Sequence, residues 1–291
     1  MGSHTLRVRF VEPRPMTPGL APWFLLTPAY VLLWPRATRP AALALAVAGL
    51  GFAAYDGQVD ARALLALALL GLSAWAVRLR RGWPVPLGHA LFIATAIALA
   101  LHLLPGFHNP RVIDAVQFDP RALPFTMYLN YDKPLIALWI MLVLAPPRFG
   151  PDARATVGAA LAAGAAACVL CLGTAWALGF TRWAPHWPAE GGLWLLNNAV
   201  FVTLAEEALF RGYVQERLTR RIGPWPACAI AALLFGLAHF AGGPALIALA
   251  TLAGLCYGWA YRHGGLAAAV LAHLALNTAH FGLFVYPALA G

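Results

Sequence analysis

GGLWLLNNAVFVTLAEEALFR, residues 191–211, opens as an apolar membrane-type helix and closes on two adjacent carboxylates, Glu206 and Glu207, and on Arg211. Each acidic side chain at the centre of a membrane helix costs about 2.5–3.5 kcal/mol on insertion scales, so two side by side require a reason. Glu207 and Arg211 stand at i,i+4 spacing, where a salt bridge along one helix face supplies part of it. Glu206 has no such partner nearby in the sequence, and its role has to come from elsewhere in the chain.

The composition decides what surrounds that stretch. Across 291 residues, 61% of side chains are hydrophobic and 11% are charged, against about 25% charged in soluble domains; mean hydropathy is +0.71. Read against a need of about 20 residues per membrane span, the apolar runs fall at 21–34, 41–55, 63–77, 87–104, 134–146, 155–180, 191–210, 225–240, 245–261 and 265–286. The fold class predicted is therefore all-α: a polytopic transmembrane helix bundle of eight to ten helices. The net charge of +9 comes from nineteen arginines and one lysine, Lys133. These are scattered between apolar runs rather than gathered on an aromatic-interleaved basic face, which argues against a nucleic-acid partner. All four cysteines (Cys168, Cys171, Cys228, Cys256) lie in apolar runs, where a thiol acts as a small hydrophobe.

Arginine position predicts topology. Placing Arg78, Arg80 and Arg81 in the cytoplasm also places Arg148, Arg154, Arg211, Arg217, Arg220, Arg221 and Arg262 there. Arg7, Arg9 and Arg14 break the pattern, and keeping them inside makes 21–34 a surface or re-entrant helix and leaves nine spans. No small-residue cleavage pattern follows these arginines, so the segment does not read as a cleaved signal peptide. The long loop 105–133 is expected to form a partly ordered cap on the membrane surface.

Polar groups inside the apolar runs are sparse over residues 1–180 and dense beyond. The chain is accordingly divided into N-terminal membrane helices, 1–180, and a C-terminal helix bundle, 181–291, that carries the chemistry. Three segments stand out: Glu206-Glu207-x-x-x-Arg211, Phe235-x-x-x-His239 and His273-x-x-x-Asn277. Four-residue spacing puts each pair on one helix face, and ionisable groups within a bilayer turn toward the bundle interior or a wet cavity. Brought together, a carboxylate base, a histidine that shares its water, and a histidine and amide that donate to a developing oxyanion suffice for water attack on a carbonyl. Glu206, His239 and His273 are also acceptable zinc ligands, although no His-Glu-x-x-His is present. His89, His102 and His280 are read as hydrogen-bonded core residues.

The ordered set of three motifs resembles the CPBP family of CAAX prenyl endopeptidases and bacteriocin-processing enzymes, over roughly residues 190–280. The resemblance implies an intramembrane glutamic-type endopeptidase with no cofactor. Glu206 would be the general base and His239 its partner in activating water; His273 and Asn277 would form the oxyanion site; Glu207, Arg211 and Phe235 would support it. A zinc enzyme using Glu206, His239 and His273 is the alternative mechanism, and a non-catalytic membrane scaffold, immunity or transport protein is the alternative from another class. The arginine bias suggests a GC-rich bacterial gene, hence an inner-membrane location and a membrane-anchored peptide or protein as substrate rather than a prenylated one. One tension remains in the linear reading: Glu206 lies near one end of its apolar run and His239 near the opposite end of the next, so they match in depth only if the first helix continues through Arg217.

Overall fold

The computed structural model describes residues 19–290; the three N-terminal arginines lie outside them. Among the described residues nine helices form the bundle: α1 (Ala21–Leu32), α2 (Arg39–Tyr55), α3 (Leu64–Arg78), α4 (Pro84–Ala100), α5 (Pro134–Val143), α6 (Ala153–Ala177), α7 (Gly191–Ile222), α8 (Pro224–Leu237) and α9 (Gly243–Leu283). Four helical stretches, Ala61–Arg78, Ala153–Ala177, Gly191–Ile222 and Phe240–Leu283, are long and apolar enough to cross a membrane. The fold is the all-α polytopic bundle that the hydropathy pattern predicts. Six of the helices carry proline at their first positions, where the missing N–H is not needed and the fixed φ suits helix entry. Asp152 caps α6, its carboxylate accepting from Ala155 N at 2.7 Å.

The tenth apolar run is the second half of α9. Gly265 adopts φ 75° and ψ −171°, a conformation essentially restricted to glycine, and the chain reverses there. Tyr257 and His273, each eight residues from Gly265, stack with ring centroids 4.6 Å apart, as two halves folded back on one another require. The loop after α5 seals the turn: Leu266 N donates to Pro147 O at 3.0 Å and Ala267 N to Arg148 O at 2.8 Å, satisfying amides that a helix start leaves open. A Cβ on Gly265 would meet Phe149 N at 2.6 Å and Arg148 C at 2.8 Å. Gly265→Ala is therefore expected to cost at least about 1–3 kcal/mol from backbone strain alone, seen as a lowered melting temperature of the purified protein; an unchanged melt would contradict this account of the turn.

Several of the arginines expected on the cytoplasmic side gather at one end of the bundle. Arg78 donates to Leu142 O at 3.3 Å, Arg262 lies over the Trp225 ring at 5.2 Å, and Arg36, Arg148, Arg217 and Arg220 share one concavity. Arg211 departs from the sequence expectation: it is wholly buried inside the bundle rather than at its end. Helix α1, at twelve residues, is among the shorter apolar helices. It packs along α2, with Gln58 holding Gly19 O at 2.9 Å at one end and Thr38 donating to Leu32 O at 2.7 Å at the other.

The loop expected to form a cap contains an antiparallel hairpin, β1 (Arg111–Val116) and β2 (Phe125–Tyr128). Ile113 and Met127 of the hairpin bury against Trp194 of α7 and Phe281 of α9, so the cap sits on the C-terminal helices, at the end away from the concavity that Arg36, Arg148, Arg217 and Arg220 share. The main buried cluster draws on both sides of residue 180, from Trp23 and Phe92 to Phe235 and Leu266.

Candidate active site

Helix α7 is not a plain α-helix where it carries the carboxylates. Thr203–Glu207 is α-helical, but wider π-helical turns flank it at Asn198–Val202 and Ala208–Gln215. Such insertions are frequent at functional sites. Thr203 Oγ1 donates to Asn198 O at 2.8 Å across the first of them.

Glu207 is the anchor. Its side chain is fully buried and contacts Arg211 through Oε2–Nε at 3.1 Å and Oε1–Nη1 at 3.2 Å. His273 joins the same carboxylate, its Nδ1 donating to Oε1 at 2.8 Å. Arg211 reaches a third element, donating from Nη2 to Gly254 O at 2.9 Å, and its guanidinium lies 4.7 Å from the Phe235 ring centroid. The salt bridge read from the sequence is present, but it is a four-element junction rather than a local pair. Two buried charges in such a junction are tolerable because each finds an opposite charge and hydrogen bonds.

Glu206 is different. Its side chain is 35% exposed and its carboxylate lies 3.9 Å from His273 Nε2; it makes no side-chain hydrogen bond among the described residues. Its observed charged contact is thus with His273 rather than with His239, the partner expected from the sequence.

His239 sits just past the end of α8, with Nδ1 donating to Phe235 O at 2.8 Å. That bond fixes the ring and leaves Nε2 for another partner. Phe235 packs between the motifs, 4.7 Å from the His239 ring and 5.6 Å from the His273 ring. The depth mismatch disappears because α7 runs on to Ile222: Glu206 lies sixteen residues before that end and His239 fifteen after Pro224. At about 1.5 Å per residue both stand roughly 22–24 Å from the Gly223 turn.

His239, His273 and Asn277 line one cavity of about 650 Å³ together with Phe235, Tyr257 and His280. Apart from Thr181 its remaining wall is apolar and reaches Phe180, Gly242 and residues 287–289, so the cavity extends toward the cap end. Asn277 donates to Asn198 Oδ1 at 3.2 Å, using one of its two amide hydrogens. Asn198 and Tyr257, which stacks on His273, escape a motif reading. The paired Asn197-Asn198 within an apolar run was a signal for the first; a tyrosine among apolar neighbours gave none for the second. Of the other histidines, His89 meets Tyr213 OH at 3.1 Å and His102 pairs with Asp132, both as structural contacts. His280 faces the cavity and packs on Tyr286, with ring centroids 5.1 Å apart.

Residues 187–279 match the family described as type II CAAX prenyl endopeptidase Rce1-like. Over this segment the chain is similar to CAAX-type prenyl endopeptidases. The match starts just before α7 and ends within the second half of α9, and so takes in all three motifs and the junction they form. Among curated proteins and among solved structures nothing matches. The chain is a multi-pass membrane protein by its long apolar helices, with a segment similar to CAAX-type endopeptidases.

Proposed function

We propose that the chain cleaves a peptide bond of a membrane-anchored peptide or protein by a glutamic-type mechanism, in the inner membrane of a bacterium. Residues 181–291 carry the reacting groups, and Leu123, Cys171, Leu172, Ala175 and Phe180 add to the wall of the cavity. The observation that carries the reading is the shared cavity of His239, His273 and Asn277 with the Glu206 carboxylate 3.9 Å from His273. Glu206 takes a proton from a water molecule whose oxygen adds to the scissile carbonyl. His239, its Nδ1 committed to Phe235 O, holds that water through Nε2. Negative charge collects on the former carbonyl oxygen, where the second amide hydrogen of Asn277 and the His273 ring stabilise it. The tetrahedral centre collapses, the C–N bond breaks, and the proton held by Glu206 passes to the leaving amine.

Metal-independence is part of this proposal. Among the described residues no three His, Cys, Asp or Glu side chains gather so as to hold a metal ion. The test is cleavage of a membrane-anchored reporter peptide by the purified protein, with and without a strong chelator. Wild-type turnover is expected to survive chelation, and His239→Ala to lose about 10²–10⁴-fold, the range for removing a general acid–base group. Equal cleavage by both proteins would remove His239 from the mechanism. Activity lost to the chelator and restored by zinc would establish the zinc enzyme instead.

A further inference from the structure

At the arginine end, away from the catalytic cavity, lies a second concavity of about 480 Å³. Three separate pieces of chain supply its charge: Arg36 from the α1–α2 turn, Arg148 from the loop after α5, and Arg217 and Arg220 from the end of α7. Its only acidic lining residue is Glu216, which is already occupied. Glu216 accepts from Arg220 at 2.9 Å and from Tyr261 OH at 3.1 Å. Among the described residues Arg36, Arg148 and Arg217 have no carboxylate partner. The backbone does not compensate them, since the Pro147 and Arg148 carbonyls accept from Leu266 and Ala267 at the Gly265 turn. Burial, and then the nearby Arg36 charge, hold the Arg148 guanidinium below the usual arginine range. Convergent, uncompensated guanidinium groups are the arrangement that bidentate phosphate recognition uses.

We propose that this concavity binds a phosphate group, carried by an anionic phospholipid headgroup or free in solution. The rim suits the lipid: Phe149 is exposed and lies beside Trp34, with ring centroids 5.9 Å apart, an apolar strip along which acyl chains can run. Arginines spread over a solvated membrane face would account for the net charge; they would not account for two loops and a helix end meeting around one hollow.

The test uses the full-length protein in detergent, with lipid retention read by native mass spectrometry. Phosphatidylglycerol is expected to be retained over phosphatidylcholine. Each interfacial arginine is worth about 1 kcal/mol toward an anionic lipid, or about fivefold in affinity, so Arg148→Gln/Arg217→Gln is expected to weaken phosphatidylglycerol about 25-fold. Glu216→Gln removes the competing carboxylate and is expected to tighten it. Millimolar inorganic phosphate distinguishes the sources: displacement of the lipid identifies a site for free phosphate, and no displacement identifies the headgroup. Equal retention of the two lipids by wild type together with no binding of inorganic phosphate overturns the proposal, as does unchanged affinity in the double variant. If the double variant fails to fold, an unchanged affinity in Glu216→Gln overturns it alone.

Discussion

Glu206→Gln is expected to lose cleavage of a membrane-anchored peptide by about 10²–10⁴-fold while melting at the wild-type temperature. The two halves of that expectation come from the same geometry. Glu206 makes no side-chain hydrogen bond among the described residues, is 35% exposed, and meets His273 only at 3.9 Å, so an amide of the same shape removes little from the folded state. It does remove the carboxylate that receives the proton of water. The neighbouring Glu207→Gln is the contrasting variant, because Glu207 is buried against Arg211 and His273 and its loss must register in stability. Measuring both glutamines by cleavage and by thermal melting separates a base from an anchor. If Glu206→Gln cleaves as fast as wild type, or if it melts as low as Glu207→Gln, the division of roles between the two carboxylates is wrong.

That division was only half legible in the sequence. The spacing of Glu207 and Arg211 shows a helical pair, because i,i+4 geometry is local. The approach of His273 to Glu207 depends on the reversal at Gly265, whose φ of 75° is not encoded by hydropathy; a run of apolar residues looks the same on either side of a turn. The helix count was legible for the opposite reason, since each helix is a local apolar run bounded by polar, Pro or Gly residues, although only four helical stretches are long enough to cross a membrane. Arg211 shows where counting fails. An arginine just past an apolar run reads as an end residue, yet the helix continues to Ile222 through residues polar enough to hide its length. The depth match of Glu206 and His239 follows from that hidden extension. The cap was expected as a loop, and its strands form because Ile113 and Met127 find Trp194 and Phe281 beneath them, a contact between segments far apart in the chain.

The largest effect on stability is expected for Arg211→Met. The substitution leaves Glu207 with 0% side-chain exposure and no cation beside it but what His273 can supply. It also strips the Gly254 carbonyl of its donor and removes the cation from the Phe235 and Tyr257 rings, 4.7 Å and 5.4 Å from the guanidinium. Removing one partner of a buried pair costs about 3–5 kcal/mol, mainly because the remaining charge stays buried. Replacing both charges avoids that cost, so Glu207→Gln/Arg211→Met is expected to melt above Arg211→Met. Its cleavage should nonetheless remain low, because the charged carboxylate that holds His273 Nδ1 at 2.8 Å is gone and the ring is free to leave the cavity. Stability regained without activity would establish that the junction positions His273 as well as holding α7, α8 and the two halves of α9 together. Activity regained along with stability would reduce it to a packing device, and an Arg211→Met protein that melts like wild type would show that Glu207 does not depend on this arginine.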